Sequence, residues 1–243
     1  MNLKQYLMAF ARGREETLVS AISVQDIEEW LTRHATPSGR ATGINRISAL
    51  MSYSVRRGWT QSNPCKQIER VTMDQTPPRI LSTDQAEMLL RCCPKSVRPW
   101  VVLCLLCGLR PSEAERTTWD AVQVQRRCVV VDSSASKVRR RRIVPVRDNA
   151  HEWLMVDWVK GDGPIVSSRS TLRRARTWAA KEAGIVWSQD VLRHTFGSMM
   201  IAAGESTYAV ADIMGTSPRI LKTHYMELVD PEEARRFWSI RPS

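Results

Sequence analysis

The stretch CVVVDSSASKVRRRRIVPV, residues 128–146, decides how the chain is read. Two short β-branched runs, Cys128 to Val131 and Ile143 to Val146, flank a polar loop rich in arginine. Such runs around a polar turn predict a β-hairpin. Lys137 to Arg147 holds six basic residues and no acidic one. A cationic hairpin tip suits a groove or phosphates of a nucleic acid; the same run also suits a solvated loop.

Around the hairpin the pattern is helical. Upstream, Ser82 and Gln85 form a capping-box pattern before Met88, Leu89 and Leu90. Val101 to Leu106 predicts a buried helix ending at Gly108. Downstream, helices are predicted at Ser170 to Glu182, Val191 to Ala203 and Tyr208 to Met214. Nearer the N-terminus they are predicted from Asp26 to Leu31 and from about Ala41 to Arg57, where Gly58 stops the second. The TMDQTPPR stretch (72–79) is polar with paired prolines and reads as a linker. The expected fold is therefore mainly α with a small antiparallel sheet (α+β), in two parts, 1–76 and 77–243.

Bulk properties narrow the function. The chain has 243 residues, 43% hydrophobic, with 36 Lys and Arg against 25 Asp and Glu, a net charge of +11. Residues 1–76 carry a net +3 and residues 77–243 a net +8. A basic protein of this size points first to a polyanionic partner. No run approaches the ~18 apolar residues of a membrane span, and no cleavable leader is read, so a cytoplasmic location is expected. Of six cysteines, Cys104 and Cys107 form a C-x-x-C inside an apolar run, which reads as helix packing rather than redox or zinc chemistry. No carboxylate cluster suggests a metal-dependent nuclease, and no cofactor is implied.

Four segments carry chemistry. GLRPSEA (108–114) sets Arg110 at a turn after a buried helix, with Glu113 able to orient it from behind. SKVRRRRIVPV (136–146) puts Lys137 and Arg139, Arg140, Arg141 and Arg142 on the hairpin. DVLRHTFGS (190–198) supplies Arg193 beside His194. MGTSPRILKTHY (214–225) ends in His224 and Tyr225.

In that order, Arg110, Lys137, Arg193 and Tyr225, at intervals of 27, 56 and 32 residues, resemble the catalytic set of tyrosine recombinases and phage integrases. The resemblance runs from about Asp26 to Trp238. It implies a tyrosine-recombinase catalytic domain over 77–243 and a helical core-binding DNA-binding domain over 1–76, shorter than usual, so either a truncated form or one whose start lies upstream. It also implies a C-shaped clamp on double-stranded DNA, self-association as a tetramer on that DNA, and cutting and rejoining through a 3′-phosphotyrosine on Tyr225. Arg110 and Arg193 would clamp the phosphate oxygens, Lys137 would protonate the leaving 5′ oxygen, and Arg139 to Arg142 would contact DNA. No metal or nucleotide is needed, because the covalent bond conserves the phosphodiester energy.

Two positions depart from that pattern. Asp190 stands where the family usually has histidine, and Thr216 where it has histidine or tryptophan. A carboxylate beside a phosphate repels it unless neutralised, so a neighbouring cation, an arginine above all, is expected to hold Asp190. The alternative is a catalytically impaired DNA-binding relative, a regulator or a mobile-element remnant. Tyr6, Tyr53 and Tyr208 lack the motif context and read as packing residues.

Overall fold

The computed structural model describes residues 3–69, 78–132, 141–159, 161–188, 190–224 and 229–242, the side chains of 223 and 224 excepted. The chain divides into two compact units, Met1–Thr76 and Pro77–Ser243.

Among its described residues the first unit holds the α-helices α1 (Leu3–Ala11), α2 (Val24–Leu31) and α3 (Pro37–Arg56). Ser23 starts α2 with a capping box: its hydroxyl accepts from the Asp26 amide, and its own amide donates to the Asp26 carboxylate at 2.8 Å. Thr36 caps α3 with Pro37 in its first turn. Tyr6 and Phe10 of α1 close a core with Ile27, Trp30, Leu31, Ile47 and Met51. A Cβ on Gly43 would lie 2.7 Å from Leu31 Cδ2, so a larger residue there would displace the Leu31 side chain. Helix α1 precedes every helix predicted from the sequence. Its Tyr6 and Phe10, four apart, share the buried face.

The second unit is built around α5 (Arg98–Leu105), whose residues from Pro99 to Leu105 are all buried. A helix apolar on every side has no solvent face, so it becomes the axis of a core. Helices α4 (Thr83–Cys92), α7 (Asp148–Val156) and α9 (Val191–Ala202) pack around it, with the short α6 (Pro111–Ala114) after it. Strands β1 (Val122–Gln123), β2 (Cys128–Val131) and β3 (Arg142–Pro145) form an antiparallel sheet in that order. The predicted hairpin is the β2–β3 pair, with Val129 opposite Val144 and Val131 opposite Arg142. Val129, Val131 and Val144 face the core, and the exposed Ile143 faces away, as the pleat requires. Helices α8 (Arg169–Glu182), α10 (Thr207–Met214), α11 (Pro218–His224) and α12 (Pro231–Trp238) complete the unit. The fold is thus mainly helical with one small antiparallel sheet.

Cys104 and Cys107 are wholly buried among the core side chains, and the described cysteines are free thiols. Burial pushes the Cys107 thiol up to about 12, which suits packing and not nucleophilic chemistry. No described helix is long and apolar enough to cross a membrane.

Candidate active site

The site begins where α5 stops. Gly108 turns the chain at φ 69°, and a Cβ there would sit 2.4 Å from the ring of Phe196 on α9. The turn therefore lies against α9, and the Gly108 carbonyl accepts from the Arg193 guanidinium. Two residues on, Arg110 caps α6. Its amide donates to Glu113 Oε2 at 2.9 Å and its Nη1 donates to Glu113 Oε1 at 2.9 Å.

Helix α10 supplies the opposite wall. It ends in a Schellman motif: Gly215, at φ 61°, donates its amide to Asp212 O at 3.1 Å, and Thr216 donates to Ala211 O at 2.9 Å. The next carbonyls, of Ile213, Met214 and Gly215, lie beyond the reach of those turn bonds. Each accepts from a different arginine: Ile213 O from Arg142 Nε at 3.0 Å, Met214 O from Arg193 Nη2 at 2.6 Å, and Gly215 O from Arg110 Nη2 at 2.7 Å. Exposed carbonyls at a helix C-terminus carry partial negative charge, so three cations there are electrostatically favoured.

Glu113 ties the group together. It is fully buried, and its two oxygens also accept from Arg142, Oε1 at 3.1 Å and Oε2 at 2.6 Å. Burial alone would raise its carboxyl. The hydrogen bonds from Arg142 and from Arg110 outweigh that and hold it below the ordinary carboxylate value. Three guanidiniums on one helix end, two of them sharing Glu113, make a cationic cluster suited to an anion.

Arg110 and Arg193, 83 residues apart, are thus neighbours on one helix end, and Thr216 follows directly. Arg193 is 5% exposed and Arg110 is half-buried, so both are held by packing as well as by hydrogen bonds. His194 is half-buried, and its amide donates to Asp190 O at 2.8 Å. Asp190 sits at the N-terminus of α9 with φ 58°, a left-handed conformation uncommon for a residue with a Cβ. Among the described residues, no ion pair joins its carboxylate to a cation. The expected arginine partner is therefore not seen there.

Arg142 departs from the sequence expectation. Its side chain is 10% exposed and committed to Glu113 and Ile213, so it is turned into the protein. The physical reason is the buried carboxylate, which offers it two charge-assisted bonds. Arg141, beside it, is exposed. Lys137, Arg139, Arg140 and Tyr225 lie outside the described residues. Tyr208 is 68% exposed and Tyr53 40%, which corrects their reading as packing residues, although Tyr53 meets the exposed Trp59 edge-on; Tyr6 is buried.

Comparison with known proteins gives the class. The model of the phage integrase family matches residues 79–230, and the chain belongs to that family. It is 29% identical over 202 residues to a putative integrase of Pseudomonas phage Pf1, covering 81% of this chain and 59% of that one, so it spans less than two thirds of that relative. It is 24% identical over 234 residues to the tyrosine recombinase XerC of Vibrio cholerae, covering 88% of this chain and 74% of that one. The fold matches that of lambda integrase residues 75–356, solved as a dimer bound to a COC′ core site, with a TM-score of 0.71 at 15% identity over 90% of this chain and 88% of that one.

Proposed function

We propose that the chain is a site-specific DNA recombinase or integrase of the tyrosine type. The observation that carries this reading is the placement of Arg110 and Arg193 on adjacent carbonyls of one helix end, nine residues before Tyr225 counted from Thr216. In this reading Tyr225 Oη attacks the scissile phosphorus and its proton passes to water. The P–O5′ bond breaks, Lys137 protonates the departing 5′ oxygen, and a 3′-phosphotyrosine remains. A 5′ hydroxyl of a partner strand reverses the step. Charge grows on the non-bridging oxygens, and Arg110 and Arg193 stabilise it because their positions are already set. Thr216 donates one hydrogen bond where the family commonly has an imidazole. Asp190 occupies the first missing histidine position.

Residues 77–243 serve as the catalytic domain and residues 1–76 as a core-binding domain on double-stranded DNA, in the cytoplasm, with the protein self-associating as a tetramer on its site. Arg139, Arg140 and Arg141 supply phosphate contacts. A pool of randomised duplexes carrying nicks is the test: a nick just 3′ of the cleaved bond releases a short fragment and traps the adduct. Recovery of a covalent protein–DNA species supports the reading. If DNA is bound and no adduct forms, the impaired DNA-binding relative becomes the better description, and Asp190 and Thr216 favour that outcome.

A further inference from the structure

The bonds of Arg142 reach two different elements of the site from a third. It opens β3, the outgoing strand of the basic hairpin. Its Nη1 and Nη2 fork onto the two oxygens of Glu113, which also hold Arg110, and its Nε reaches Ile213 O at 3.0 Å. Its guanidinium packs so closely over Gly215 that a Cβ there would lie 3.1 Å from Nη1. One side chain thus joins the hairpin, the carboxylate behind Arg110 and the chain end that leads to Thr216.

We infer that Arg142 is a positioning residue that locks Arg110, Glu113 and the Ile213–Thr216 segment into one unit with the hairpin strand, and is not a DNA contact. The charge balance explains why the lock matters. Without Arg142, both oxygens of a buried carboxylate turn to Arg110 alone. Arg110 is then more fully neutralised and drawn toward Glu113, away from an incoming phosphate. At the same time Ile213 O loses its donor, and the turn that presents Thr216 is held less firmly. Because Arg142 is part of β3, displacement of the hairpin strand is passed directly to both. The catalytic consequence rests on the recombinase reading; the structural one does not.

The test uses the full chain with Arg142→Gln, and with Arg142→Lys should the first fail to fold. Three measurements separate the possibilities. Hydrogen exchange in peptides spanning 212–217 should accelerate at least about tenfold, with α5 unchanged. The slope of log K against log salt on a plain duplex should stay within about half a unit of wild type, since giving up one phosphate lowers it by about one. At saturating nicked DNA, the rate of adduct formation should fall by at least about tenfold while Kd moves less than about twofold. A slope reduced by about one overturns the inference whatever else changes, and so does unchanged exchange at 212–217. Wild type that binds DNA and never forms an adduct sinks the recombinase reading alone, because exchange and salt slope still decide the role of Arg142.

Discussion

Arg110 and Arg193 donate to the consecutive carbonyls of Gly215 and Met214, so two arginines distant in sequence are fixed side by side at the end of α10. A planar donor held by a backbone carbonyl needs little reorganisation when a phosphate arrives, which is the condition for electrostatic stabilisation of a developing charge.

Replacing either arginine with alanine should therefore act on the chemical step. We expect adduct formation at saturating DNA to drop by about 10²–10³ for each, the range for removing one preorganised donor. Tyr225→Phe should abolish the adduct, since it removes the attacking oxygen and little else. An adduct that persists in Tyr225→Phe, seen by denaturing gel, would show that another residue is the nucleophile.

Asp190→His should preserve or raise adduct formation. Imidazole restores a donor of the type the family uses, and histidine is among the residues that tolerate the left-handed backbone found at φ 58°. Thr216→His should act in the same direction. Rates below wild type for both, in folded protein, would mean that these positions have been reassigned to another role.

DNA affinity should fall steeply with salt through counterion release. Charge reversal at Arg139, Arg140 and Arg141 should weaken binding to all sequences alike, reducing the salt slope by about 0.9 for each phosphate no longer neutralised. Unchanged binding in fluorescence anisotropy at moderate salt would remove the hairpin from the DNA interface.

Glu113 should make the second unit acid-sensitive. Its folded carboxyl lies below the ordinary value of 4.5, so the native state binds this proton less readily than the unfolded chain does. Its contribution is then fully present above about pH 4.5 and is lost as pH falls through the lower folded value. Glu113→Gln should cost about 3 kcal/mol at pH 7 by leaving Arg142 and Arg110 without their shared anion. It should also flatten the pH dependence below 4.5, as read by thermal melts from neutral into acidic buffer.

Gly108→Ala should destabilise by about 2–4 kcal/mol, combining a positive φ with overpacking against Phe196. The added Cβ would meet the ring at 2.4 Å, and urea unfolding gives the measurement. A loss below about 0.5 kcal/mol would mean that Phe196 and the turn relax more freely than their packing suggests.

Much of this molecule was legible one segment at a time. Two short β-branched runs around a polar loop marked β2 and β3, capping chemistry at Ser82 marked α4, and the unbroken apolar run marked α5, because each rests on neighbours within a few residues. Where the local signal was thin, elements escaped. Helix α12 buries only Ala234 and Phe237 among charged residues; α7, α11 and the two-residue β1 were also not read from the sequence. The order and spacing of the four motifs pointed to the family from sequence alone, since they record chemistry and not packing. The fate of each charge was decided only by the tertiary structure. In sequence, Arg141 and Arg142 are equivalent members of one basic run. In the fold, one is exposed and the other is bonded to a carboxylate 29 residues earlier, because a guanidinium takes whichever anion the packing brings within hydrogen-bond reach.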